Sequence, residues 1–326
     1  MIDIYKKFIE TIGIPVKEQE PLAPYSTYKV GGPADLFIEA RSVEHIVAAV
    51  TTARKFAIPF FILGGGSNIL IGDKGFRGLV IRNATKAITV RGMKGAITKG
   101  IADGSVYVEA ESGVPFNALV RYTIEEGLAG LEMHLGLPGS VGGAIFMNSK
   151  WMKPPSFIGD MVYQATILTP AGEVKNVTND YFRFAYGSSF IQKSGDIVLS
   201  VLFALKRAEK EALWSTANES MEYRRVSQPQ GVKTAGCVFK NISFVEAVAT
   251  GTPNHTTSTG YLIDKSGGKT MTVGGAAVSQ IHANFVVNTG SATATDMVQL
   301  IETMKEKVKE KFGITLVEEI QRIGDF

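Results

Sequence analysis

Apolar positions change their period several times along the chain, and each change marks an element. The run Leu36-Phe37-Ile38-Glu39 reads as a strand, fed by the turn Tyr28-Lys29-Val30-Gly31-Gly32-Pro33-Ala34-Asp35. Beyond it Val43, Ile46, Val47 and Val50 recur at i, i+3, i+4 and i+7, which predicts a helix with Ser42 placed to cap it. The apolar run of residues 58–63 supplies a second strand, so the order is β-α-β. Residues 79–82, 88–91 and 106–110 predict short strands, and 115–127 a helix that turns Leu119, Tyr122 and Ile124 toward apolar neighbours. Residues 162–169 and 174–177 flank the turn Pro170-Ala171-Gly172-Glu173 as a hairpin, and 197–206 predict a strand.

From 208 to 225 the pattern becomes helical and charged, which places a domain boundary between 25–206 and 207–326. In the last third Gln280, His282 and Asn284 alternate as on one face of a strand, with His282 a structural hydrogen-bonding residue, and residues 285–287 read as a strand. A long helix follows with Thr295 or Asp296 near its start. Met297, Ile301, Met304 and Val308 form its apolar face, and Gly313 stands where it stops.

Two glycine-rich loops interrupt this pattern. Leu63-Gly64-Gly65-Gly66-Ser67-Asn68 follows a strand and lets the backbone curl its N–H groups around an oxyanion such as a diphosphate. Glycines in a turn also serve purely structural ends where φ must be positive. Leu137-Pro138-Gly139-Ser140-Val141-Gly142-Gly143-Ala144 admits a turn followed by a closely packed helix of small residues.

Composition narrows the function classes. The chain has 326 residues, enough for two or three structural units, with 45% hydrophobic and 20% charged residues as in globular proteins. A net charge of +3 is too small for a polyanion-coating surface, so nucleic acid is not an expected partner. The single cysteine, Cys237, excludes an internal disulfide framework and a Cys-rich metal cage. The N-terminal residues lack a signal-peptide apolar core and no stretch reaches a membrane span of about 18 apolar residues, so a cytoplasmic protein without membrane contact is expected.

With both loops in view, the chain resembles the UDP-N-acetylenolpyruvoylglucosamine reductase family, flavoenzymes also called UDP-N-acetylmuramate dehydrogenases. The match is carried by Val30-Gly31-Gly32-Pro33-Ala34-Asp35, residues 63–68, Gly75-Phe76-Arg77-Gly78, Gly130-Leu131-Glu132, residues 138–144 with Met147-Asn148, Ala235-Gly236-Cys237-Val238-Phe239-Lys240, and Val278-Ser279 with His282-Ala283. The resemblance implies an α+β fold: an FAD-binding module of the vanillyl-alcohol-oxidase (PCMH) type over 25–206, in two subdomains of about 25–85 and 86–206, followed by an α/β substrate-binding domain. It further implies non-covalent FAD facing Gly64, Gly65, Gly66, Ser67 and Asn68, with Gly139, Ser140, Gly142 and Gly143 approaching from the other side. NADPH is the implied co-substrate, and UDP-N-acetylglucosamine enolpyruvate the substrate of a monomer or weak oligomer. No metal is implied.

In the family reaction hydride passes from flavin N5 to C3 of the enol ether, and C2 takes a proton. Cys237 matches the proton-donor position, where many relatives carry serine; a thiol, with a pKa of about 8.5, is the better acid. A merely buried small residue is the other reading of Cys237. Glu319 matches the glutamate that stabilises the enolate, which requires it to carry a proton; Glu318 and a plain surface role are the alternatives. Tyr186, Arg224, Arg225, Gln228, Lys240 and Asn241 match a substrate-gripping surface, although basic residues at a domain edge are usually only solvated. One departure stands out: Gly187 occupies the place of the arginine that holds the substrate carboxylate. Arg183, Lys150, Lys153 or Arg225 could replace it. Otherwise the chain is a weakened homologue that only binds FAD or a nucleotide sugar, or an oxidase of the same superfamily.

Overall fold

The computed structural model describes residues 2–94, 97–98, 101–102 and 104–326. The chain divides into two compact units, one made of Met1–Lys17, Phe37–Gly65 and Leu79–Arg224, the other of Glu18–Leu36, Gly66–Gly78 and Arg225–Phe326.

In the first unit the strand Phe60–Leu63 pairs in parallel with Phe76–Asn83, from Phe60 opposite Leu79 to Leu63 opposite Arg82. The helix Val43–Lys55 precedes it, and the Ser42 hydroxyl accepts a hydrogen bond from the His45 N–H at 3.3 Å. This cap meets one of the donors that a helix start leaves unpaired. A second, antiparallel sheet runs in the order Val174–Thr178, Val162–Leu168, Ile197–Arg207, Ser105–Glu111, Ile88–Lys94. Strict alternation along Ser105–Glu111 buries Val106, Val108 and Ala110 on one face. Against that face pack the helices Phe116–Glu125 and Val141–Met147, through Phe116, Leu119, Val120, Val141 and Ile145. The helix Lys210–Ser227 adds Leu213 and Ala217 to this core. It runs slightly past residue 225 and ends two residues before Pro229, since a residue preceding proline disfavours the helical region.

The second unit holds the antiparallel strands Thr272–Val273, Ala276–Val278 and Val286–Asn288, and the helix Ala294–Phe312. Met297, Leu300, Ile301, Met304 and Val308 of that helix are fully buried. Its start lies slightly before Thr295 because Thr293 is the cap: the Thr293 hydroxyl accepts from the Asp296 N–H, and the Asp296 carboxylate from the Thr293 N–H, both at 3.0 Å. Asp73 adds bonds from Ala294 N–H at 2.7 Å and Thr295 N–H at 2.9 Å. Gly313 ends the helix at φ +71°.

Residues 280–284 are not a strand. They form a turn in which Ser279 Oγ accepts from the Ile281 N–H at 3.2 Å and His282 Nδ1 accepts from the Asn284 N–H at 3.2 Å. Side chain to backbone bonds of this kind compete with a strand ladder and win here.

Candidate active site

The strand Phe60–Leu63 delivers Gly64 and Gly65 against the second glycine loop inside the first unit. A Cβ on Gly65 would lie 2.6 Å from Gly139 Cα, and one on Gly64 would lie 2.4 Å from Ser140 Oγ. The two loops are therefore in backbone contact. Gly139 adopts φ +111° and its carbonyl accepts the Phe116 N–H at 2.9 Å, so the loop is held by the start of the preceding core helix Phe116–Glu125. Ser140 caps the helix Val141–Met147, accepting from the Gly143 N–H at 3.3 Å. Gly142 packs closely, its added Cβ standing 3.1 Å from the Ser112 carbonyl oxygen, whereas one on Gly143 would meet only Ser140 Oγ, at 3.6 Å.

In the second unit the first glycine loop continues. Gly66 sits at φ +64°, and a Cβ there would fall 2.0 Å from the Tyr25 carbonyl oxygen. Its own carbonyl accepts the Thr27 N–H at 3.0 Å. Half-buried Ser67 follows, and then Asn68, whose amide Nδ2 donates to the Glu319 carbonyl at 3.1 Å. The next strand, Ile69–Ile71, pairs in parallel with Gln321–Ile323. Gly31 and Gly32 of the early motif explain themselves against this strand: a Cβ on Gly31 would lie 2.7 Å from Ile71 Cβ, and one on Gly32 2.2 Å from the Asp73 carbonyl oxygen. Asp35 pairs with Arg77 at 2.7 Å, joining the two motifs that contain them.

Cys237 and Glu319 lie on neighbouring extended segments of this unit. The Glu319 N–H donates to the Val238 carbonyl at 2.7 Å, and the Lys240 N–H to the Val317 carbonyl at 2.9 Å. On the other side Asn284 fixes the thiol-bearing segment: its Oδ1 accepts the Phe239 N–H at 2.9 Å and its Nδ2 donates to the Phe239 carbonyl at 2.8 Å. Cys237 is half-buried. Glu318 is occupied elsewhere: its carboxylate meets Lys305 Nζ at 2.5 Å, Arg322 Nη2 at 2.5 Å and Arg322 Nε at 2.9 Å. Tyr28, fully buried nearby, has its phenol pushed upward by burial, with Cys237 and Glu318 adding to the shift.

Among the substrate-surface residues, Tyr186 lies in a turn where the Asn148 amide donates to the Ala185 carbonyl at 3.0 Å. Arg224 holds its guanidinium 4.8 Å from the Trp151 ring, beside buried His134, in the first unit. His134 Nε2 meets Ser156 Oγ at 3.1 Å, and burial, with Arg224 second, pushes its pKa down to about 4. Arg225, Gln228, Lys240 and Asn241 belong to the second unit. The Asn241 side chain accepts the Thr259 N–H at 3.2 Å, at the start of the helix Thr259–Lys265. The sequence motifs contained Tyr28, Asp35 and Arg77 without revealing their tasks, and nothing in their spacing singled out His134. Among the described residues no group of three or more His, Cys, Asp or Glu could hold a metal, and no helix is long and apolar enough to cross a membrane.

The cradle fits a flavin dinucleotide: three glycines in a row leave no side chain where backbone N–H groups must approach a diphosphate. Comparison with known proteins agrees. The FAD binding domain family matches residues 34–178. Fold and cradle together define an FAD-dependent oxidoreductase with an α+β architecture, an FAD-binding module followed by a C-terminal domain. That C-terminal part matches the UDP-N-acetylenolpyruvoylglucosamine reductase C-terminal domain over residues 228–323. The UDP-N-acetylenolpyruvoylglucosamine reductase of Carboxydothermus hydrogenoformans is 36% identical over 320 residues, covering 98% of each chain. That of Halalkalibacterium halodurans is 34% identical over 310 residues, covering 95% of each. The crystal structure of UDP-N-acetylenolpyruvylglucosamine reductase from Thermus caldophilus superposes with a TM-score of 0.74 at 29% identity, over 95% of this chain and 98% of that one. The chain belongs to the UDP-N-acetylenolpyruvoylglucosamine reductase family.

Proposed function

We propose that this protein reduces UDP-N-acetylglucosamine enolpyruvate to UDP-N-acetylmuramate in the cytoplasm, with NADPH as reductant. The observation that supports the reading best is the 2.7 Å bond from the Glu319 N–H to the Val238 carbonyl, which sets the backbone segment bearing Glu319 beside the one bearing Cys237 in a chain of this family. Bound FAD, once NADPH has reduced it, would supply the hydride for C3 of the enol ether. Gly64, Gly65, Gly66 and Ser67 would hold its diphosphate, with Gly139 and Ser140 contributing from the second loop. Asn68, whose amide is engaged with the Glu319 carbonyl, ties that loop to the acid-bearing segment.

Charge then builds at C2 and its carboxylate. Glu319 stabilises the enolate and Cys237 donates the proton that C2 takes up, the thiol being a competent general acid near neutral pH. Tyr186, Arg225, Gln228, Lys240 and Asn241 grip the substrate, while Arg224 acts as a brace over the Trp151 ring. Mixing anaerobically NADPH-reduced enzyme with the enolpyruvyl substrate tests the reading: it predicts rapid return of the yellow flavin with one UDP-N-acetylmuramate formed per flavin. A flavin that stays bleached would select a binding module, the role that Gly187 favours. Fast reoxidation by oxygen alone would select an oxidase.

A further inference from the structure

We infer that Lys150 is the cation that receives the substrate carboxylate, a step that rests on the reaction proposed above. Four basic residues competed for that task on sequence grounds, and the structure separates them. The Lys150 ammonium lies 3.9 Å from the centre of the Tyr186 ring, directly before Gly187 in the chain. Lys153 stands over Tyr223 at 4.5 Å, and the Arg183 guanidinium over Phe190 at 4.8 Å, itself in a left-handed conformation at φ +44°. Arg225 is exposed in the second unit. Gly187 has φ +60°, a geometry that glycine adopts without strain and an arginine does not. The turn is thus shaped for a residue without a side chain, and the charge beside it comes from another strand.

Both partners of this contact are held firmly. The Tyr186 turn is tied to the end of the helix Val141–Met147 by Asn148, by Ser189 Oγ on the Phe146 carbonyl at 2.8 Å, and by Gln192 Nε2 on the same carbonyl at 2.7 Å. Lys150 opens the hairpin Lys150–Met152 and Pro155–Phe157, in which it pairs with Phe157. Trp151, only 6% exposed, anchors that hairpin by donating from Nε1 to the Lys153 carbonyl at 2.7 Å beneath the Arg224 guanidinium. An ammonium fixed over a π face on two braced elements is preorganised to meet a carboxylate, and loses little freedom in doing so.

The test uses full-length, FAD-loaded protein and two ligands that differ in the carboxylate: UDP-N-acetylglucosamine enolpyruvate and UDP-N-acetylglucosamine, titrated by flavin absorbance. The wild type is expected to prefer the enolpyruvyl compound. Lys150→Met should reduce that preference by about tenfold or more, the worth of a charge-assisted hydrogen bond, and Lys150→Arg should keep most of it. An unchanged preference in Lys150→Met overturns the inference alone. Equal weakening of both ligands assigns Lys150 to the diphosphate and overturns it as well. A wild type that binds neither compound overturns the substrate reading and the inference with it. Lys150→Arg guards against a misfolded methionine variant, since loss of preference in a well-folded arginine variant also counts against the assignment.

Discussion

Gly65→Ala isolates the contact between the two glycine loops. No left-handed φ is required at Gly65, so the substitution carries no conformational strain; only space is at stake. The added Cβ would stand 2.6 Å from Gly139 Cα and 3.0 Å from its carbonyl carbon, and both are backbone atoms of a loop held by Phe116 and Ser140. Neither can rotate away as a side chain would. One loop must shift, at a cost of about 1–3 kcal/mol typical of overpacking, which lowers FAD affinity by roughly 5- to 150-fold if the cradle closes on the cofactor. Titrating apoprotein with FAD and following quenching of flavin fluorescence measures this. Gly172→Ala is the control: it has φ +86° but nothing within 4 Å, so it should cost stability of about 1 kcal/mol and leave FAD affinity alone. A Gly65→Ala protein that binds FAD within about threefold of the wild type, well under that cost, would refute the reasoning.

Other outcomes follow from single contacts. His134 has its folded pKa pushed to about 4, below its unfolded value, so the unfolded chain takes up the proton first and stability falls with acid between pH 6.5 and 4. From pH 7 to 4.5 the loss should be about 2–3 kcal/mol in urea unfolding and absent in His134→Gln; parallel curves for the two proteins would contradict it. Arg322→Gln removes bonds to both Glu318 and Glu302 and should cost about 1–2 kcal/mol after solvent screening, measurable in the same way. A change below about 0.5 kcal/mol would show the network to be a solvated cluster. Asp73→Ala strips the added cap from the helix Ala294–Phe312 and should lower stability by about 1–2 kcal/mol, with a neutral result counting against the cap.

Local physics was the legible part. The long C-terminal helix could be read because its cap, apolar stripe and terminal glycine all lie within the segment itself. The hairpin at Pro170-Ala171-Gly172-Glu173 was legible for the same reason, and its strands Val162–Leu168 and Val174–Thr178 pair as expected. Residues 280–284 were misread because alternating polar positions suit both a strand and a turn, and only Ser279 and His282 bonding back to the backbone decide between them. Spacing could not show that Gly65 touches Gly139, since a glycine reports the absence of a side chain and not its reason. The position of Lys150 over Tyr186 was equally hidden: it depends on a hairpin whose brace, Arg224 over Trp151, spans more than seventy residues of chain.

Single-turnover kinetics of Cys237→Ala address the central assignment most directly. The account predicts flavin reduction by NADPH at near the wild-type rate, and reoxidation by the enolpyruvyl substrate slowed by about two to four orders of magnitude, the cost of a lost general acid. Reoxidation at the wild-type rate, or equal damage to both half-reactions, would contradict it.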